Sequence, residues 1–259
     1  MNRMTSTATG TFTYAEYLRL PALLAQQVPR AGGAAHDEQL FIAVHQVHEL
    51  WFKLMLAELT DARDRMLAGE TVVPAQRLRR CRTIESTLLG SLEVLDTMAP
   101  GDFRAFRGVL GTASGAQSAQ FHEIEALSGR TDVAPVGLGL GAWPSPAERA
   151  ALDRRLLEPS LWDAFLAVLR AADLACGCRA ERMRTYDRIG RDGTAVGELM
   201  DALLEYDRGW SLWRERHVRV VERQLGGERG TGGSSGAAYL RVRAAYRFFP
   251  ELWEARGDR

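Results

Sequence analysis

The chain has 259 residues, with 33 lysines and arginines balanced by 33 aspartates and glutamates. That neutrality gives no electrostatic footprint for nucleic acid or an anionic membrane, and the length suffices to bury a sizeable core without disulfide or metal staples. Cys81, Cys176 and Cys178 are odd in number and form no C-x-x-C, as expected of a reduced cytoplasmic protein; no apolar run is long enough to span a membrane, and MNRMTSTATGTFTY lacks a signal-peptide core.

Residues 1–12 are small and polar and read as a flexible tail. Thr13 and Glu16 have capping-box spacing, opening a short helix through Tyr14, Tyr17, Leu20 and Leu23. Pro29, Gly32 and Gly33 mark a loop. The stretch HDEQLFIAVHQVHELWFKLMLAEL holds three of the five histidines, and a central helix runs from about Asp37 to Leu67, ahead of Gly69. Phe41, His45, His48, Phe52, Met55 and Leu59 fall on one face. Leu40, Val44, Val47, Trp51 and Leu54 make a second apolar face, which predicts a helix buried on most sides.

Pro74 suits a first helical position, and Leu78 to Met98 give a third helix closed by Pro100, with Arg77, Arg79, Arg80 and Arg82 on a solvated face. A short helix over 102–110 is broken by Gly111–Gly115, and another follows from about Gln117 to Gly129. Residues 130–146 read as an irregular connection. Helical patterns at 147–157 and 160–175 suggest a small accessory unit, whereas 176–193 has no clear pattern. A long helix follows from Val196 to Leu225, then a glycine-rich segment, 226–236, and a final helix from Ala237 ending at Pro250. The fold class is all-α: one helical domain from residue 13 to 259, with about 145–176 as an inserted small helical subdomain.

Buried imidazoles need a partner or a ligand. His45, His48 and Glu49 invite a non-haem metal reading, but H-x-x-H-E is not the zinc-protease H-E-x-x-H, and the Glu-x-x-His pairs of di-iron bundles are absent. His217, in WRERHVRVVER, has two readings: a surface histidine among arginines, or a proximal ligand to haem iron with Arg214, Arg216, Arg219 and Arg223 near the propionates. The 226–236 segment lacks the phosphate-loop form and reads as a flap whose amides and Thr231, Ser234 and Ser235 hydroxyls close over an anionic group. Arg107 can take a carboxylate in two-point fashion or make a surface salt bridge.

Four stretches, HDEQLFIAVHQVHELWFKLMLAEL, LEVLDTMAPGDFRAFRGVLGTASGAQSAQFHEIE, WRERHVRVVERQLGGERGTGGSSGAAYL and FFPELW, together resemble the tryptophan 2,3-dioxygenase family in the same order, over roughly residues 14–253. The resemblance implies a helical haem-binding core, a haem b cofactor in its ferrous form, L-tryptophan and O2 as substrates, N-formylkynurenine as product, and a homotetramer. By position it implies His217 as proximal iron ligand and His45 as the catalytic residue that hydrogen-bonds and positions the indole nitrogen. It also implies substrate contacts from Phe41, Arg107, Ser114 and Thr231, and from Tyr14 and Tyr17 of a neighbouring subunit. His48 is then a structural imidazole. Two departures stand out: Ala116 replaces a bulky aromatic, and His122 replaces an arginine. A smaller wall at 116 opens an alternative, mono-oxygenation of a substituted tryptophan such as β-methyltryptophan to a 2-oxindole. Two other classes are a haem-free helical binding protein and a non-haem metalloprotein.

Overall fold

The structure, a computed structural model, describes residues 11–33, 35–133 and 145–257. The described residues form helices and loops without a strand, and no helix among them is long and apolar enough to cross a membrane. In chain order these are α1 (Tyr14–Tyr17), α2 (Leu20–Leu24), α3 (Glu38–Leu67), α4 (Val72–Leu95), α5 (Pro100–Arg107), two 3-10 turns (Gly108–Leu110 and Gly115–Gln117) and α6 (Ala119–Leu127). After the gap follow α7 (Pro146–Leu157), α8 (Leu161–Ala171), α9 (Arg179–Ile189), α10 (Ala195–Leu225), α11 (Ala237–Ala244) and α12 (Pro250–Ala255). Most of the expected tail and of the 130–146 connection lies outside the described residues.

Local chemistry explains the helix boundaries, including those that depart from expectation. The Thr13–Glu16 capping box is present, but Arg19 in the left-handed region (φ 53°) splits the first helix into α1 and α2. Glu38 turns back instead of capping α3: its buried carboxylate accepts from the amides of Arg30 and Ala31, both at 2.8 Å, and so fixes the preceding loop. α4 begins two residues before Pro74, still within the first turn, where a missing amide hydrogen costs nothing. Pro100 and Pro250 open α5 and α12 rather than merely closing the helices before them. The unassigned 176–193 stretch contains α9, begun by Glu181 accepting from Gly177 N at 2.9 Å and Cys178 N at 3.2 Å.

The core is the packing of α3 and α10 on α4, with Leu59, Leu78, Leu88, Leu203 and Trp210 fully buried among them. Gly209 lets α4 and α10 approach closely, since a Cβ there would lie 1.6 Å from Glu85 Oε2. Burial pushes the Glu85 carboxyl well above its ordinary range. The arginines of α4 also tie helices together: Arg79 and Arg80 are exposed as expected, yet Arg80 reaches Glu58 at 2.6 Å and the half-buried Arg77 reaches Asp61 at 2.8 Å, both across the α3 seam. Asp207 anchors the FFPELW segment, accepting from Phe249 N and Trp253 Nε1, both at 2.9 Å.

α8 buries Leu161, Phe165 and Leu169 in the common core against α3, while α7 docks on α6 through Leu152, Ala126 and Val133. The second face of α3 is covered only in part. Val44 is buried and Leu40 and Trp51 pack against the core, whereas Val47 and Leu54, with neighbouring Leu50, are exposed.

Candidate active site

A cavity of about 520 Å³ opens where α3 and α10 diverge, within the size range of small-molecule sites. α3 supplies Phe41, Val44, His45 and His48; α10 supplies Trp213, Arg214 and His217. The opposite wall comes from the 110–122 segment and the glycine-rich loop, through Ser114, Ala116 and Thr231 among others.

Helical periodicity sets the histidines. His45 Nδ1 lies 2.7 Å from Phe41 O, one turn back on α3. A carbonyl only accepts, so Nδ1 carries the proton and, in the neutral ring, Nε2 is a bare acceptor. That Nε2 has no partner among the described residues, and burial holds the ring's pKa below its ordinary value. Phe41 packs against the same imidazole with centroids 4.1 Å apart. His48 repeats the backbone bond, Nδ1 to Val44 O at 2.8 Å, but its Nε2 accepts from Trp213 Nε1 at 3.4 Å. Both of its nitrogens are used, and burial lowers it to about 4.

Across the cavity, His217 stacks on Trp213 at 5.0 Å with a 20° interplanar angle. Neither of its nitrogens bonds to another described residue. Burial first, then the proximity of His45 and His48, lowers its pKa to about 4. His217 is therefore a neutral imidazole fixed by stacking, with its lone pair available to the cavity. It is not a surface histidine, and three of its arginine neighbours are engaged elsewhere: Arg216 and Arg223 each reach the Asp96 carboxylate at 3.0 Å, and Arg214 donates to Tyr246 O at 3.1 Å, while Arg219 is exposed.

The loop wall is held by long-range contacts. Ser114 forms a capping box with Gln117, its hydroxyl accepting from Ala116 N at 3.3 Å. Thr231 donates its hydroxyl to Ala113 O, pinning the glycine-rich loop to the 110–118 segment. Arg107 is not on the cavity wall: its guanidinium donates to the Glu228 carboxylate and to Arg229 O. Tyr14 and Tyr17 are also away from the cavity, each 76 % exposed on α1.

The tryptophan 2,3-dioxygenase family model matches residues 2–136 and 183–257. The chain is 47 % identical over 253 residues to a tryptophan 2,3-dioxygenase of a Nocardioides species, covering 95 % of this chain and 94 % of that one. It is 42 % identical to the protein of that name from Herpetosiphon aurantiacus, covering 95 % and 98 %, and 39 % identical to one from an Anaeromyxobacter species, covering 97 % and 98 %. The chain belongs to the tryptophan 2,3-dioxygenase family.

The donor set suits the haem implied by the resemblance. One neutral, unpartnered imidazole on a largely apolar wall is what a proximal ligand requires. The non-haem reading finds no such support: both nitrogens of His48 are occupied, and no group of three or more His, Cys, Asp or Glu among the described residues is placed to hold a metal.

Sequence reasoning did not single out Glu125, a cavity-lining residue and the hub of the buried charge network behind the site. It accepts from Arg130 at 2.9 Å and Arg243 at 2.5 Å, with His122 at 3.5 Å and Arg214 at 3.9 Å. Burial alone would raise this carboxyl, but the His122 bond and the surrounding arginines outweigh it and keep it ionised. His122 also bonds Ala116 O at 2.9 Å, so the residue at the first departure is braced by the residue at the second. The His122/Glu125 spacing on α6 was a visible signal; the arginines that converge on it come from distant elements.

Proposed function

We propose that this chain is a haem-dependent dioxygenase that adds both atoms of O2 across the indole C2–C3 bond of L-tryptophan, giving N-formylkynurenine. The observation that carries the reading is the pair of neutral imidazoles lining one cavity from two helices: His217 of α10 with an available lone pair, and His45 of α3 with a bare Nε2 acceptor. Haem, when bound, supplies the iron that activates dioxygen. His217 holds that iron through its neutral ring, with Trp213 stacked behind to fix its orientation. His45 Nε2 accepts the indole N–H, and Phe41 packs on the ring beside it, so the C2–C3 bond is held in one orientation. Apolar side chains such as Val44, Phe52 and Leu92 keep water from the reacting atoms.

Arg107 takes the substrate carboxylate and Thr231 the amino-acid end, and Ser114 belongs to the distal pocket. Tyr14 and Tyr17 complete the site of a neighbouring subunit in a homotetramer, a reading supported by the uncovered α1 and by the exposed apolar strip Val47, Leu50 and Leu54 on α3. Residues 145–176 form the inserted small helical subdomain, and the three free cysteines suit a cytoplasmic setting.

The test is a single turnover of the ferrous haem protein with L-tryptophan and O2, read by product mass. A gain of two oxygen atoms is expected. Gain of one oxygen would replace this reading with the 2-oxindole reaction, and a protein that takes up no haem would remove both.

A further inference from the structure

The carboxylate-binding fork implied by Arg107 already holds a carboxylate from its own chain. Arg107 sits at the end of α5, and one guanidinium nitrogen donates to Glu228 while the other donates to Arg229 O. Two donors on one fork are thus taken up by consecutive residues of the glycine-rich loop, one carboxylate oxygen and one backbone carbonyl, so the fork is occupied before a two-point ligand arrives. The loop backbone is shaped to present Glu228 there. Gly226 ends α10 in the left-handed region (φ 57°), and Glu228 N donates to Leu225 O at 3.0 Å. Gly236 folds back so closely on Glu228 O that a Cβ at 236 would lie 2.5 Å from it. Three residues beyond Glu228, Thr231 lines the cavity, whereas Arg107 does not.

We propose that Glu228 is a specificity-determining residue: an internal carboxylate on Arg107 that a substrate carboxylate must displace one for one. This rests on the reading of Arg107 as the carboxylate site. An α-amino acid carries the group that replaces Glu228, whereas an indole amine of the same ring system does not. The Glu228 side chain is half exposed and so finds water when displaced, which keeps the exchange inexpensive. Occupancy of the fork thereby selects for the carboxylate as well as for the indole, and binding is coupled to movement of the loop that carries Thr231.

The experiment is calorimetric titration of the haem-loaded protein with L-tryptophan and with tryptamine, in the parent, Glu228→Gln, Arg107→Ala and the double variant. Glu228→Gln should bind tryptophan about two- to fivefold more tightly, the range that a partly exposed pair supports, with tryptamine unchanged. The gain should vanish in the Arg107→Ala background. Unchanged tryptophan affinity in Glu228→Gln would overturn the proposal, and weaker affinity would do so by making Glu228 a contact for the substrate ammonium. Arg107→Ala serves as the separate control: if it leaves tryptophan affinity intact, the carboxylate reading itself is wrong, whatever Glu228 does. Amide exchange over 226–236 gives a second readout, expected to quicken in Glu228→Gln and to stay at the parental rate if Glu228 does not restrain the loop.

Discussion

The two walls of the cavity are built on different principles. On the helical wall, His45 and His48 are each aimed by a bond to the carbonyl one turn earlier, and His217 by stacking on Trp213, also one turn earlier. These contacts are local, each made within one turn of a helix; only His48 adds a distant partner, Trp213. On the loop wall, Thr231 meets Ala113 across 118 residues, and behind that wall, off the cavity lining, Arg107 meets Glu228 across 121. Those contacts depend on the glycine-rich loop meeting the end of α5 and the 110–118 segment. The difference assigns cofactor retention and ring orientation to the helices, and selection of the substrate's polar end to the loops.

The strongest test of this division is His217→Ala, which should abolish stoichiometric haem, read as loss of the Soret band at unchanged helical circular dichroism. Retained haem with an unaltered spectrum would place the iron ligand elsewhere. A second test uses the helical wall's titration. His48 sits near 4 in the fold against an ordinary 6.5, so the unfolded chain binds more protons between those values. Stability from this group is therefore full above about pH 6.5 and lost as pH falls toward 4, with a slope of up to about 1.4 kcal/mol per pH unit. Urea unfolding of the parent and of His48→Asn across that window should differ by this slope, and parallel profiles would show that the proton is taken up by another group.

Replacing His45 by Ala removes one neutral hydrogen bond to the substrate, so kcat/KM should fall about tenfold while haem stays bound. A complete loss of turnover would make His45 an indispensable base rather than a positioning group. The smallest effect is expected on the loop wall, where Thr231→Ala should weaken tryptophan binding about three- to fivefold with the Soret band unchanged. Loss of haem in this variant would erase the distinction between the two walls.

The same contrast governs what could be read in advance. The central helix, its histidine stripe and the long helix bearing His217 were legible because apolar period and one-turn spacing are properties of consecutive residues. The split at Arg19 was not, since a left-handed non-glycine residue has no compositional mark. Nor were the ion pairs of the α4 arginine face, since its partners Asp61 and Glu58 come from another helix. The exposed strip on α3 was misjudged for the same reason: hydrophobicity says that a face seeks cover, not whether its own chain provides it.

The sequence by itself determined an all-α chain, the faces on which His45, His48 and His217 lie, and a resemblance strong enough to name the family. Tertiary structure decided the rest. It separated His45 from His48 by giving only His48 a second partner in Trp213, and it converged His122 and three arginines on Glu125. It also turned Arg107 toward Glu228. Each of these depends on which distant atoms meet at a buried polar group, and such groups are stable only when their hydrogen-bonding and charge are answered, a condition set by packing between elements and not by spacing within them.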